Sequence, residues 1–423
     1  MEAKHLLSMS LILIIMLSGS DIPAGAQDNS ADFYIISGVV KDIRSKKTVE
    51  YVNVSAAGVN VGTITNEDGE FTLKINKDLN VKEIRFSCIG YYNAKISINE
   101  KKQEGQTFFI VPESYQLNEI QVFSWRNPRD LIKAALEKVE DNYVLNPNML
   151  TGFYRETIQK RRKYINISEA VIEIYKGPYN QSADLDRVKI LKGRKLISPK
   201  VSDTLSVKLQ GGPNMTVYMD VVKNPYFLLE PELIQYYTYK MGETTSIDDR
   251  LQYAVHFEPQ MILPYPLYIG TFYIDRETLS FTRAEFKIDM RDKQKVTNAI
   301  LIEKPRGLRF TPEEVSYVVT YKLQENKTYL NYIRNEIKFK CDWKRRLFAT
   351  NYTVCGETVI TDREDRNVAR IPAREAFSTR QSLSQEVALY QDENFWGMYN
   401  IIEPTESLEN AVTKLKKQYR TSQ

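Results

Sequence analysis

Apolar and polar side chains alternate with a period of two along much of this chain, the pattern of strands that bury one face. Between Tyr34 and Pro112 the alternation falls into seven short runs, at residues 35–41, 52–56, 61–65, 70–75, 83–89, 94–98 and 107–111. Val52, Val54 and Ala56 share one face of the second run, and Phe71, Leu73 and Ile75 one face of the fourth. Short strands punctuated by regular turn signals predict a β-sandwich of immunoglobulin-like or transthyretin-like kind. Asn66-Glu67-Asp68-Gly69 reads as a turn with Gly69 at positive φ. The same acids lack the further spaced oxygen ligands of a calcium loop.

The period then changes. Asn127-Pro128 opens a helix with proline in the first turn. Leu131, Ile132, Ala135, Leu136, Val139 and Tyr143 form one apolar stripe at helical spacing, which predicts packing against a sheet. From Gly152 to about Asp362 the chain is β-rich again, with strands expected at 165–175, 253–257, 268–274, 283–288, 315–324, 329–343 and 348–360. Residues 176–200 and 210–213 read as loops, and 220–235 as a short helical or irregular insert carrying Pro225 and Pro231. Residues 405–419 predict a capped amphipathic helix, with Leu408, Ala411, Val412, Leu415 and Tyr419 on the face that packs back onto the sheet.

The first 26 residues belong to a different pattern. Lys4 and His5 precede an apolar run at 6–17, and Ala24-Gly25-Ala26 supplies a small-x-small motif, so a secretory signal cleaved between Ala26 and Gln27 is expected. The run is shorter than the roughly 18 to 20 residues that cross a bilayer. Ser20 stands where a lipoprotein would carry its acylated Cys. The mature chain is therefore expected in the periplasm or at the outer-membrane periphery, with neither acyl anchor nor transmembrane span. It keeps 57 basic and 52 acidic residues, a net +5, too mild a bias to suggest nucleic acid. The basic clusters Lys160-Arg161-Arg162-Lys163 and Lys344-Arg345-Arg346 read as solvated turns.

Several motifs then follow in order: Ile36-Ser37-Gly38-Val39-Val40, Tyr51-Val52-Asn53-Val54, Val61-Gly62-Thr63, Thr65 to Phe71, and Phe86-Ser87-Cys88-Ile89-Gly90-Tyr91. Together with Leu117-Asn118-Glu119-Ile120-Gln121-Val122 they resemble the carboxypeptidase-like regulatory domain that opens many outer-membrane and periplasmic proteins. The resemblance implies a non-catalytic β-sandwich, not a peptidase. The run from Tyr268 to Leu279, its return to Ile288 and the long strands up to Ile360 look like the curved half-barrel of outer-membrane lipoprotein carriers. That implies a concave apolar sheet able to hold a lipid or peptide, unless a helix of the chain itself fills it. Gly152 to Glu156, Ser168 to Val171, Asp392 to Gly397 and Tyr399 to Pro404 resemble envelope proteins that join the two parts.

Composition narrows the chemistry. The chain has 2 His, one of them in the signal segment, so His256 is the single imidazole of the mature protein. Multi-His metal sites are excluded, and no nucleophile elbow or phosphate-binding loop is present. No cofactor and no metal are expected. Cys88 and Cys341 fall on apolar faces and Cys355 on a polar one, with Cys341 expected opposite Ala349, so no disulfide is predicted. A nonlocal carboxylate pair is the catalytic route left open, and Glu156, Glu169 and Asp275 carry structural readings. The expected architecture is mainly β: signal 1–26, sandwich 34–122, connecting helix 127–145, curved antiparallel sheet 150–404 and closing helix 405–420. The expected function is non-catalytic binding or assembly in the envelope, holding a lipid, peptide or glycan, with an unidentified envelope protein as possible partner and ligand contacts unassigned. The alternatives are an envelope hydrolase using a carboxylate pair and a β-barrel accessory of nutrient uptake.

Overall fold

The computed structural model describes residues 32–98, 103–113, 125–344, 348–378, 382–389 and 395–422. Ala26 and Gln27, the expected cleavage pair, lie outside the described residues.

The N-terminal part is a sandwich of two four-stranded sheets. One sheet runs in the order Glu70–Asn76, Phe33–Asp42, Gln103–Pro112, Tyr91–Tyr92, and the other Gly62–Ile64, Asn53–Ala56, Glu83–Ser87, Ala94–Ser97. Each of the seven expected strands is present, and Tyr91–Tyr92 is an eighth, too short to show periodicity. Alternation does what it should: Phe71, Leu73 and Ile75 are buried and their strand neighbours are not. Phe71, Phe86 and Phe108 meet at centroid distances of 5.1 to 5.5 Å in the centre. The Asn66 to Gly69 segment is a turn: the Asn66 side-chain oxygen accepts from the Asp68 and Glu70 N–H groups, and Gly69 has φ 76°.

Beyond it, the helix Pro128–Glu137 starts at an Asn127 cap and breaks at Lys138, so the expected connecting helix is two helices, the second Val139–Asn142. Leu131, Ile132, Ala135 and Tyr143 are buried against the large sheet as the stripe requires, and the Tyr143 hydroxyl donates to the Phe281 carbonyl at 2.7 Å.

That sheet has twelve strands and curls into a half-barrel. From one edge it runs Tyr237–Met241, Arg250–Pro259, Tyr268–Asp275, Phe281–Ile288, Leu308–Gln324, Lys327–Trp343, Thr350–Glu364, Asn148–Lys160, Lys163–Lys176 and Arg187–Ile197, all antiparallel. Ala388–Leu389 adds to the far edge in parallel, and Thr245–Ile247 pairs beside Arg250–Pro259. Two expectations are corrected here. Residues 176–200 are not one loop, since Arg187–Ile197 is an eleven-residue strand whose lysines and arginines suit a position near a sheet edge and mask its apolar positions. Cys341 faces Thr350 rather than Ala349, because the hairpin register is one residue longer than a tight turn at 344–346 implies.

The closing helix is Glu406–Ser422. Its Leu408 and Leu415 pack on Ile167 and Leu196. Those residues lie on the convex side of the sheet, so this helix does not fill the concave side.

Candidate ligand-binding hollow

Successive side chains of a strand point to opposite faces. Along Asn148–Lys160, Tyr154, Glu156 and Ile158 take the concave face, and Phe153, Arg155 and Thr157 the convex one. Cross-strand register extends both sets. On the concave face Glu156, Gly356, Asn335 and Tyr317 form one row across four strands. Ile158, Val354, Ile337 and Val315 form the next.

The helix Pro128–Glu137 fills one part of the concavity together with Phe272, Phe281 and Tyr143. The rest stays open as a hollow of about 870 Å³, within the size range of small-molecule sites. Its floor is Glu156, Asn335, Tyr317, Ile158, Val354 and Ile337 from these rows, with Tyr268 and Ile288 from the adjoining strands. Its roof is the insert between Asp203 and Phe227, carrying Leu205, Leu209 and Met215, and the helix Lys293–Ile300 contributes Ile300 to the side.

Polar side chains are distributed through this lining, among them Lys208, Gln210, Asn214 and Gln385, and one group of them forms around Glu156. Gly356 makes that possible, because a Cβ there would lie 2.7 Å from Asn335 Oδ1 and 3.2 Å from the Tyr154 hydroxyl. Glu156 Oε2 accepts from the Tyr154 hydroxyl at 3.2 Å, and the Gly212 N–H also donates to this carboxylate. Burial pushes the Glu156 carboxyl above the usual carboxylate range, and these two hydrogen bonds offset only part of that. Among the described residues Glu156 pairs with no Lys or Arg.

The fully buried carboxylates in and around this sheet are treated differently. Burial also pushes Glu169 up, yet the guanidiniums of Arg155 and Arg194, at 2.8 and 2.7 Å, overcome it and hold the group below its ordinary value. Asp220 is held down in the same way by Lys176 at 2.7 Å and by the Tyr321 hydroxyl. Asp275 is clamped by Arg250 at 2.6 Å and by the turn that follows it. The structural readings of Glu169 and Asp275 hold, whereas Glu156 faces the hollow. Sequence reasoning missed it because Asn148–Lys160 buries residues on both faces and so shows no clean alternation.

The convex face is an assembly surface within the chain. Arg155 donates to the Ile402 carbonyl at 2.7 Å and ties the segment around Trp396 and Ile402 to the sheet. The N-terminal sandwich docks beside it, with Tyr51 stacked on Tyr332 at 5.9 Å and Glu67 paired with Arg334 at 2.9 Å.

His256 and the three cysteines do not line this hollow. His256 is exposed on the convex side, and its Nδ1 meets the Thr271 hydroxyl at 2.7 Å. All three cysteines are free, and burial raises their thiols to about 11 for Cys88 and Cys341 and about 12 for Cys355. The second carboxylate lining the hollow, Asp203, is paired with Lys160 at 3.2 Å. Among the described residues no group of three or more His, Cys, Asp or Glu is placed to hold a metal ion, and no helix is long and apolar enough to cross a membrane.

Residues 36–122, about a fifth of the chain, match the family model of the CarboxypepD_reg-like domain. No curated protein matches the chain. Among solved structures, a putative outer membrane lipoprotein-sorting protein domain from Vibrio parahaemolyticus aligns at 10% identity over 57% of this chain and 95% of its own, with a TM-score of 0.26. A DUF1329 family protein from Desulfovibrio piger aligns at 10% identity over 57% and 93%, with a TM-score of 0.22. MucB in complex with MucA(peri) aligns at 10% identity over 56% and 100%, with a TM-score of 0.17.

Proposed function

We propose that this protein is an exported envelope binding protein that holds an apolar or amphiphilic ligand, a lipid in the first instance, in the concave hollow of its half-barrel. The observation that carries the reading is the hollow itself: about 870 Å³, with more aliphatic and aromatic than polar side chains in its wall and a polar group around Glu156. The closing helix, which could have plugged it, packs on the opposite face through Leu408 and Leu415. Export rests on the signal-like first 26 residues, and the division into a sandwich at 34–122, a connector at 127–145, a curved-sheet unit at 150–404 and a helix at 405–420 belongs to the same proposal. In it the sandwich and the 395–404 segment stiffen the convex face, and the concave face does the binding. The barrel alternative fits poorly, since an open sheet leaves edge backbone groups that a bilayer does not tolerate.

The test uses the full mature chain. N-phenyl-1-naphthylamine, a neutral apolar fluorophore, should bind and brighten, and Ile337→Trp, which fills the floor, should abolish that signal without lowering the melting temperature. Unchanged fluorescence in the wild-type protein, or binding that survives Ile337→Trp, would overturn the reading.

A further inference from the structure

Buried carboxylates in the large sheet and the connections packed on it have a cation of their own: Glu169 has Arg155 and Arg194, Asp186 and Asp220 share Lys176, and Asp275 has Arg250. Glu156 is the exception that faces the hollow. It is hydrogen-bonded by the Tyr154 hydroxyl and the Gly212 N–H, and forms no ion pair among the described residues, although Lys208 lines another part of the same hollow. Such a half-buried group is neutral, ionised against water in the hollow, or ionised against a cation that arrives from outside. The surroundings suit an incoming donor-rich group. The carboxylate keeps acceptor capacity beyond its two partners. Asn335, one strand beyond Gly356 in the same row, presents an amide that makes no side-chain hydrogen bond among the described residues.

Resting on the lipid-binding reading above, we propose that the hollow selects an amphiphile with a protonated amine at its polar end, the ammonium pairing with Glu156 beside Asn335 while the apolar chain lies along Ile158, Val354 and Ile337. The ligand thus supplies the cation that the protein withholds from this one carboxylate. Arg155 cannot substitute, since it points to the convex face and is committed to Glu169, Glu357 and the Ile402 carbonyl. Lys160, on the concave parity, is held at the rim by Asp203 and the Ser202 carbonyl.

The measurement is calorimetric titration of the full mature chain at pH 7 with three probes of equal chain length: dodecylammonium, dodecanol and dodecanoate. A charge-assisted hydrogen bond within an enclosed site is worth about tenfold or more in affinity. Dodecylammonium should therefore bind at least tenfold more tightly than dodecanol, and dodecanoate more weakly than either. Glu156→Gln should abolish the preference for dodecylammonium over dodecanol, and an unshifted melting temperature reports that the variant is folded. Equal affinity for the three probes, or a Glu156→Gln protein that still prefers the ammonium, would overturn the ammonium assignment while leaving the lipid-binding reading intact. Failure of all three to bind would overturn both.

Discussion

Arg155 and Glu156 are adjacent in sequence and opposite in fate, because a strand sends neighbours to different faces. Arg155 is 4% exposed and is held by Glu169 at 2.8 Å, by Glu357 at 3.5 Å and by the Ile402 carbonyl. Removing one partner of a buried ion pair leaves the other uncompensated, at a cost of about 3 to 5 kcal/mol. Arg155→Ala should thus lower stability by that order in urea unfolding, and a loss below about 1 kcal/mol would show that Arg194 alone suffices for Glu169. Gly356 is the complementary case, since a side chain there would run into Asn335 Oδ1 and the Tyr154 hydroxyl.

At the level of elements, the closing helix Glu406–Ser422 is held mainly by Leu408 and Leu415 against Ile167 and Leu196. Replacing both leucines with Asp should release it to limited proteolysis while the naphthylamine dye still binds, because helix and hollow lie on opposite faces. Loss of dye binding together with the helix would contradict that separation. The helix was legible in the sequence because a solvent-facing amphipathic segment writes its period plainly. The strands Asn148–Lys160 and Arg187–Ile197 were not: the first buries residues on both faces, and the second carries the basic residues of a near-edge strand. The helix Lys293–Ile300 also escaped notice, since eight residues show barely two turns of periodicity.

For the whole molecule, the buried charges set the response to acid. Glu169 and Asp220 titrate below their ordinary values of 4.5 and 3.8 in the folded chain, so they bind fewer protons there than when unfolded. Their contribution is complete above about pH 4.5 and is lost as pH falls through the folded values. Glu156, raised in the folded state, works in the opposite sense and offsets a small part of this. The urea midpoint should therefore drop between pH 6 and pH 3, and Glu169→Gln should flatten the drop. A midpoint that does not move over that interval would mean that the ion pairs contribute nothing to stability.

Local pattern by itself determined the seven sandwich strands, the apolar stripe of the connector, the closing helix and the absence of paired cysteines, because each depends on period and parity within a few residues. The scarcity of histidine likewise disposed of multi-His metal chemistry before any fold was known. Only the tertiary structure decided which face is the inside. The strand Asn148–Lys160 is inserted between Thr350–Glu364 and Lys163–Lys176, and that long-range register puts Glu156, Gly356 and Asn335 in one row. Residues some two hundred positions apart share no local signal, so a carboxylate left without a cation could be recognised only after the sheet had curled around it.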